Sequence, residues 1–567
     1  MRFVSPCTVA TLAAVGFAMQ ANAGDVVAAK PVAAAEAAFL DFLDAHGELG
    51  VVESGLQERY LGRDRAQWQA LSDSRRNRLD AALGRLKPLQ LRPADERAVQ
   101  AMLASLAALA SEDAVSNSPA TSCKDAGERD LDYARLRAAL VACYVEYGNA
   151  LRFEDSTIDR GSALQLLHVI DEPARRRAVF DAFVPLWTAL DGHGEPDSPY
   201  RRMIAMAAEA ARKQGSPIDA AARALGVRET DVENWLVEVL DAWRQATGPQ
   251  LVEPWDYRYV NSAANRELAA RIPPESLVPA NQRFYQDLGA DLAALGVMYD
   301  LEPRAGKSPL AYTDFVTRGR TTGGRWQVSV ARVVATYPTG GLYSLNELVH
   351  ENGHAVHIAA IHNRPAYMDW PDTLFTEAFA DVPSWSVYEP AWQRRYLGAA
   401  AAEPASLRAL FGDVMLDVAW ALFELRLLRD PRQDPNVLWT DITSRYLHVA
   451  PHPEVPWWAV RVQLVDEPGY MVNYGLGAVL TAEMRQRTVD AVGVFDAGNP
   501  GWYAYLSRQL LQYGSERGTR SLLQDLLGRP VSPAALIRQV ARSGDAAASG
   551  STVTGNQGTF PYFASSK

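Results

Sequence analysis

The stretch L-N-E-L-V-H-E-N-G-H-A-V-H-I, residues 345–358, leaves this chain less structural freedom than any other. His350 and His354 stand four apart, with Glu351 beside the first of them. In a strand, residues four apart are separated by ~13 Å and cannot share a ligand. In an α-helix they lie one turn apart on one face, so two imidazoles reach a single ion and the adjacent carboxylate addresses a water beside it. H-E-x-x-H therefore predicts a helix near 343–362 that holds one Zn2+ ion and carries a general base.

The rest of the chain predicts a helical surround. Apolar residues recur at spacings of three and four over 39–45, 64–86, 94–109 and 131–153, and again over 172–190, 200–213, 229–247 and 281–295, with charged residues opposite. Between 308 and 336 the pattern changes. P-L-A-Y-T-D-F and W-Q-V-S-V-A-R-V-V-A-T have the β-branched and aromatic content of strands, separated by the turn T-T-G-G. An edge of these strands near Ala331 would hold an extended peptide by main-chain pairing, which tolerates any side chain. After the zinc helix, D-W-P-D-T-L-F-T-E-A-F-A-D-V-P predicts a second helix near 373–388, capped by Asp372 or Thr373. Helical spacing continues to 541. No fixed period recurs and no linker interrupts 24–543, so the expected architecture is one large, mainly α unit with two lobes and a small β-sheet next to the H-E-x-x-H helix.

The ends read differently. Residues 1–23 combine Arg2, an apolar run over 9–19 and A-N-A ending at Ala23, the layout of a cleavable export signal, which places the protein in the periplasm or outside the cell. Residues 24–38 are Ala- and Val-rich and weakly patterned, a poorly ordered lead-in, and 544–567 form a flexible Ala, Ser, Gly and Thr tail. Once Cys7 leaves with the signal, Cys123 and Cys143 remain, an even pair that invites a disulfide in an exported protein; two free buried thiols are the alternative. The formal net charge of -11 argues against a nucleic-acid partner. No membrane anchor is expected beyond the signal, and the chain is expected to be a monomer.

A catalytic zinc takes three protein ligands and leaves a fourth position for water. Glu377 is the expected third ligand, because the 22 residues between it and His354 suffice for a helix end, a loop and a return. Asp381 shares its helical face and would accept the free ring N–H of His350. Asp369, Asp372 and Glu389 compete for the metal without such a paired setting. Glu351 would take a proton from the attacking water and pass it to a leaving amine. In D-E-P-G-Y-M-V-N-Y-G-L-G, Tyr470 and Tyr474 are four apart at a helix start, so either can offer a hydroxyl to the developing oxyanion. His357 and His362 read as structural or surface residues.

H-E-N-G-H-A-V-H followed by T-E-A-F-A-D resembles the gluzincin metallopeptidases. The long gap between His354 and Glu377 is more similar to the angiotensin-converting-enzyme, thimet-oligopeptidase and oligoendopeptidase F group than to thermolysin. The resemblance is strong over about 325–390 and fainter over 460–490, where Y-M-V-N-Y lies. It implies that His350, His354 and Glu377 bind zinc, Glu351 is the base, Asp381 supports a ligand, and Tyr474, with Tyr470 second, is the oxyanion donor. The implied fold is a mostly helical ellipsoid split by a deep channel that admits oligopeptides. The group places a histidine shortly before the tyrosines; here His452 and His448 lie far upstream, and Arg461 or Gln463 are candidates for that role. A dipeptidyl carboxypeptidase needs a cation for the substrate carboxylate, for which Arg461 or Arg485 are candidates. An oligoendopeptidase and a non-catalytic zinc- or peptide-binding protein are the alternatives. No G-x-M-E-N-like stretch precedes the zinc helix, which disfavours an aminopeptidase.

Overall fold

The computed structural model describes residues 23–53, 62–116, 122–302, 307, 311–337 and 339–544. Residues 1–22, with most of the export segment, and the tail from 545 lie outside them. The described residues are mainly helical, with three small sheets, as the sequence leads one to expect. No helix among them is long and apolar enough to cross a membrane.

The H-E-x-x-H stretch lies on the helix Leu342–Ala360. Leu345, Leu348, Val349, Ala355, Val356 and Ile358 on this helix have no exposed surface. Each such side chain contributes about 1.5–3 kcal/mol on burial, and a helix apolar on most sides belongs inside the core. The chain enters the helix through Gly340 and Gly341. A Cβ on Gly340 would stand 1.7 Å from the Ile272 carbonyl oxygen, and Gly341 has φ 99°. The Gly341 N–H donates to that same carbonyl at 2.8 Å, which pins the start of the helix.

The helix Thr373–Ser384 crosses Leu342–Ala360 at Gly353, where a Cβ would lie 2.8 Å from the Cα of Ala380. Backbone cannot yield as a flexible side chain can, so Gly353→Ala is expected to force the two helices apart and cost about 1–3 kcal/mol in chemical denaturation. Gly477 meets nothing within 4 Å of its Cβ position. Gly477→Ala is the control and should lose no stability, because alanine is the better helix former.

Two further helices complete the surround of the site. Glu403–Arg429 runs through the core, and Met471–Val492 packs against both it and Thr373–Ser384. The buried Glu424 carboxylate accepts the Met471 N–H at 2.9 Å, fixing where Met471–Val492 begins. Thr481 Oγ1 donates to the Ala378 carbonyl at 2.8 Å, tying that helix to Thr373–Ser384.

The largest sheet has three strands, in the order Met298–Asp300, Val330–Val334, Tyr312–Thr317. The first pairing is parallel and the second antiparallel, with Phe315 opposite Ala331. Ala331 is therefore in the central strand and buried, and the expectation that it offers an edge to a peptide is corrected. Its strand is paired on both sides, with Met298–Asp300 over residues 332–334 and with Tyr312–Thr317, which among the described residues is the edge strand near the H-E-x-x-H helix.

Two other expectations change. The weakly patterned lead-in is part of a long helix, Ala23–Glu53, in which Val32, Ala35, Phe39 and Leu40 are buried. Its acids Glu36, Asp44 and Glu48 are buried too. Glu48 receives both guanidinium nitrogens of Arg332 at 2.9 and 3.0 Å, Glu36 pairs with Arg364, and Asp44 pairs with Arg320. Carboxylates on the inward face erase the apolar periodicity that signals a helix. The expected helix over 131–153 ends at Glu146 and gives way to a hairpin, Leu151–Phe153 with Ser156–Ile158. Cys123 and Cys143 form a disulfide between a short 3-10 turn and the helix Tyr133–Glu146.

Candidate metal centre

Three side chains from two crossing helices meet at one point. His350 and His354 project from the same face of Leu342–Ala360, and Glu377 comes from Thr373–Ser384. The Nε2 atoms of the histidines are 3.1 Å apart, and Glu377 Oε2 is 3.6 Å from His350 Nε2. Two nitrogens bound tetrahedrally to one ion at about 2.1 Å would be about 3.4 Å apart. One donor atom from each of the three residues fits within 4.8 Å, so together they could hold a metal ion. No other group of this kind occurs among the described residues.

The surroundings favour positive charge at that point. Asp381 Oδ1 lies 2.7 Å from His350 Nδ1, which leaves Nε2 free to face the centre. Burial works against a charged His350, yet Asp381 and Glu377 raise its pKa well above the usual imidazole value. His354 is pushed down to about 4 by burial and by His350, which keeps its lone pair available. Burial opposes ionisation of Glu377, but the two histidines bring its pKa below the ordinary value. Two imidazoles and a carboxylate with one open side match the donor set of a catalytic metal site.

A cavity of about 540 Å³ opens at this centre, lined in part by His350, His354, Glu377, Glu351, Thr313 and Tyr474. The Glu351 carboxylate is raised by burial and lowered by His350 and by Thr313, whose hydroxyl donates to Glu351 Oε2 at 2.7 Å. Thr313 sits on the edge strand and also lies 3.0 Å from the Glu351 carbonyl, so strand and helix are locked together at the carboxylate. Thr313 is not among the site residues that the sequence pattern predicts. Its only advance signal is the strand pattern before the helix, which does not specify register.

Of the two tyrosines, Tyr474 lines the cavity. Its hydroxyl is pushed up to about 12 by burial, so it remains a neutral donor at ordinary pH. Tyr470 stands just before the helix, edge-on to Tyr474 with ring centroids 5.5 Å apart. Arg461 also lines the cavity, but its guanidinium is held by Asp417 at 2.6 Å and lies over the Tyr474 and Trp420 rings. Gln463 Nε2 is 3.5 Å from the Tyr474 hydroxyl.

Several candidates are engaged elsewhere. His452 is corrected as a substrate contact: its ring lies between Glu253 and Glu454 at 2.8 and 2.7 Å and packs on Trp255, outside the cavity lining. Arg485 is buried against Asp496 at 2.7 Å. Asp369 pairs with Arg318, Asp372 caps Thr373–Ser384, and Glu389 pairs with Arg542, which removes all three as competing ligands. His357 is fully buried among Trp370, Phe375 and Phe379, and His362 stacks on Trp326.

No protein-family model matches the chain, and neither does any curated protein. Solved structures do match. PZ peptidase A with an inhibitor superposes with a TM-score of 0.54 at 14% identity, covering 88% of this chain and 95% of that one. An M32 carboxypeptidase from Deinococcus radiodurans R1 gives a TM-score of 0.52 at 15% identity, covering 90% and 97%. A protein of Bacillus anthracis strain Ames described as an oligoendopeptidase F gives 0.51 at 14% identity, covering 88% and 93%. The chain thus has the mainly helical fold shared by these solved peptidases, from end to end of most of their length.

Proposed function

We propose that the chain is a zinc-dependent peptidase that hydrolyses oligopeptides. The observation that carries this reading is the convergence of His350, His354 and Glu377 on one point of a cavity wall that also presents Glu351. A bound Zn2+ supplies Lewis-acid polarisation and makes water nucleophilic near neutral pH. Glu351 accepts the proton of the attacking water and returns it to the leaving amine. Tyr474 donates its hydroxyl to the carbonyl oxygen as negative charge develops there. Asp381 fixes the tautomer and orientation of His350. The edge strand Tyr312–Thr317, whose Tyr312 and Thr313 line the cavity, takes an extended peptide by main-chain pairing. The likeness in fold to known peptidases supports the same reading.

Arg461 and Arg485 are both neutralised by aspartates, so neither is free to receive a substrate carboxylate. That favours cleavage independent of the C-terminus over release of C-terminal dipeptides. The disulfide and the segment ending at Ala23 support export, because such crosslinks persist in oxidising compartments.

The test is cleavage of matched free and C-terminally amidated peptides by metal-free and zinc-restored protein. Cleavage should vanish on chelation, return with one equivalent of zinc, and be the same for both peptide ends. Undiminished cleavage by metal-free protein would overturn the proposal, and loss of cleavage on amidation alone would restore the carboxypeptidase version. Thr313→Ala should lower kcat about 10–100-fold, as loss of a supporting hydrogen bond does, with zinc content unchanged. Thr313→Ser should recover most of the rate.

A further inference from the structure

The carboxylates of the cavity fall into two classes. Glu351 is held by Thr313, Asp381 and Glu377 by His350, Asp417 by Arg461, and Asp413 by Arg258. Glu347 lines the same cavity, and its carboxylate has no hydrogen bond or ion pair among the described residues. It is half-buried on the H-E-x-x-H helix, one turn before His350 and Glu351 and on their face. Burial and the neighbouring Glu351 push the Glu347 carboxyl up to about 7, so it is only partly ionised near neutral pH, and a cation brought beside it would pair with it and hold it ionised.

The walls near Glu347 indicate what that partner is. Tyr343 stands one turn earlier on the helix, large and 38% exposed, and lines the cavity with Trp385 and Tyr388. Asn346, between them in sequence, is spent on the Ser384 carbonyl at 2.9 Å, which holds this helix against the segment that carries Trp385 and Tyr388. Aromatic faces attract cations and are indifferent or hostile to anions. The only guanidinium in the lining, that of Arg461, is already matched by Asp417. This end of the cavity therefore offers one carboxyl without a protein partner beside the exposed ring of Tyr343, while Trp385 and Tyr388 in the same lining are almost fully buried.

We propose that Glu347, with Tyr343, binds a cationic group of the peptide close to the scissile bond. The group is an ammonium or guanidinium, carried by a Lys or Arg side chain or by a free α-amine. The inference rests on the peptidase reading for its consequence, a preference for positively charged substrates, but the recognition itself is separable from turnover.

The experiment scans Lys, Ala and Glu through each position of an internally quenched peptide, with free and acetylated N-termini, using zinc-loaded protein. At one position Lys should exceed Ala in kcat/KM by about tenfold, the worth of one hydrogen bond to a charged group. Persistence of the preference in acetylated peptides identifies a side-chain cation, and its loss identifies the α-amine. In Glu347→Gln, which keeps size and polarity, the Lys to Ala ratio should fall toward one, and in Glu347→Lys the Glu peptide should become the preferred one. The same peptides are titrated onto the zinc-loaded Glu351→Gln protein to read affinity without turnover. There, too, a tenfold advantage for Lys should disappear on adding Glu347→Gln. Equal affinity for Lys and Ala peptides, or a Lys advantage that survives Glu347→Gln, overturns the inference. If the wild type cleaves no peptide, the peptidase reading fails, and the titration still decides cation recognition.

Discussion

Glu351→Gln is expected to keep its zinc and lose peptide hydrolysis. Glutamine is nearly isosteric, and its amide oxygen can still accept the Thr313 hydroxyl that now lies 2.7 Å from Glu351 Oε2. Glu351 is not among the three converging ligands, so the metal content should match that of the parent. What the amide cannot do is accept the proton of water and deliver it to the leaving nitrogen. General acid–base assistance is worth about 10²–10⁴-fold in rate, so kcat should fall by that factor while KM changes little. Steady-state kinetics beside metal analysis of the same sample separates this outcome from simple unfolding. A variant that cleaves as fast as the parent would remove Glu351 from the chemistry.

Glu377→Ala should act on the metal itself. Structural zinc sites bind with roughly 10–16 kcal/mol shared among their ligands, so losing one of three protein ligands should weaken affinity by at least about 10²-fold. The protein should purify with substoichiometric zinc and cleave peptides only when zinc is added in excess. Asp381→Ala is a graded comparison. It leaves all three ligands in place but frees the His350 ring, which Asp381 now holds at 2.7 Å. A loss of about 10–100-fold is expected there, smaller than for the ligand. Because a ligand that binds only the folded state stabilises it, zinc should raise the melting temperature of the wild type and do so much less for Glu377→Ala.

Residues whose partners lie one helical turn away were legible from the sequence. His350 and His354 declare their shared face by spacing, and Glu377 and Asp381 do the same on the next helix. Contacts that depend on how separate elements pack were not. Thr313 reaches Glu351 across 38 positions because the edge strand lies on the helix in one register, and register is a tertiary outcome. Which of two neighbouring strands of the same β-branched character is the edge is not legible near Ala331, because their order in the sheet depends on pairing with Met298–Asp300, upstream of both. His452 lies near the tyrosines in sequence, yet Glu253 and Glu454 hold its ring elsewhere. Only 39–45 of the Ala23–Glu53 helix is legible, because its buried carboxylates are matched by arginines nearly 300 positions away. Glu347 did have a sequence signal, since 347, 350, 351 and 354 form one helical face, but its lack of a partner is a property of the folded cavity.

The most direct measurement is the anomalous scattering of crystals of the purified protein above and below the zinc absorption edge. The expected result is one zinc ion at full occupancy, about 2.0–2.2 Å from His350 Nε2, His354 Nε2 and a Glu377 carboxylate oxygen. A zinc-loaded protein whose ion lies away from these three residues, or that takes up no zinc at all, would contradict the account.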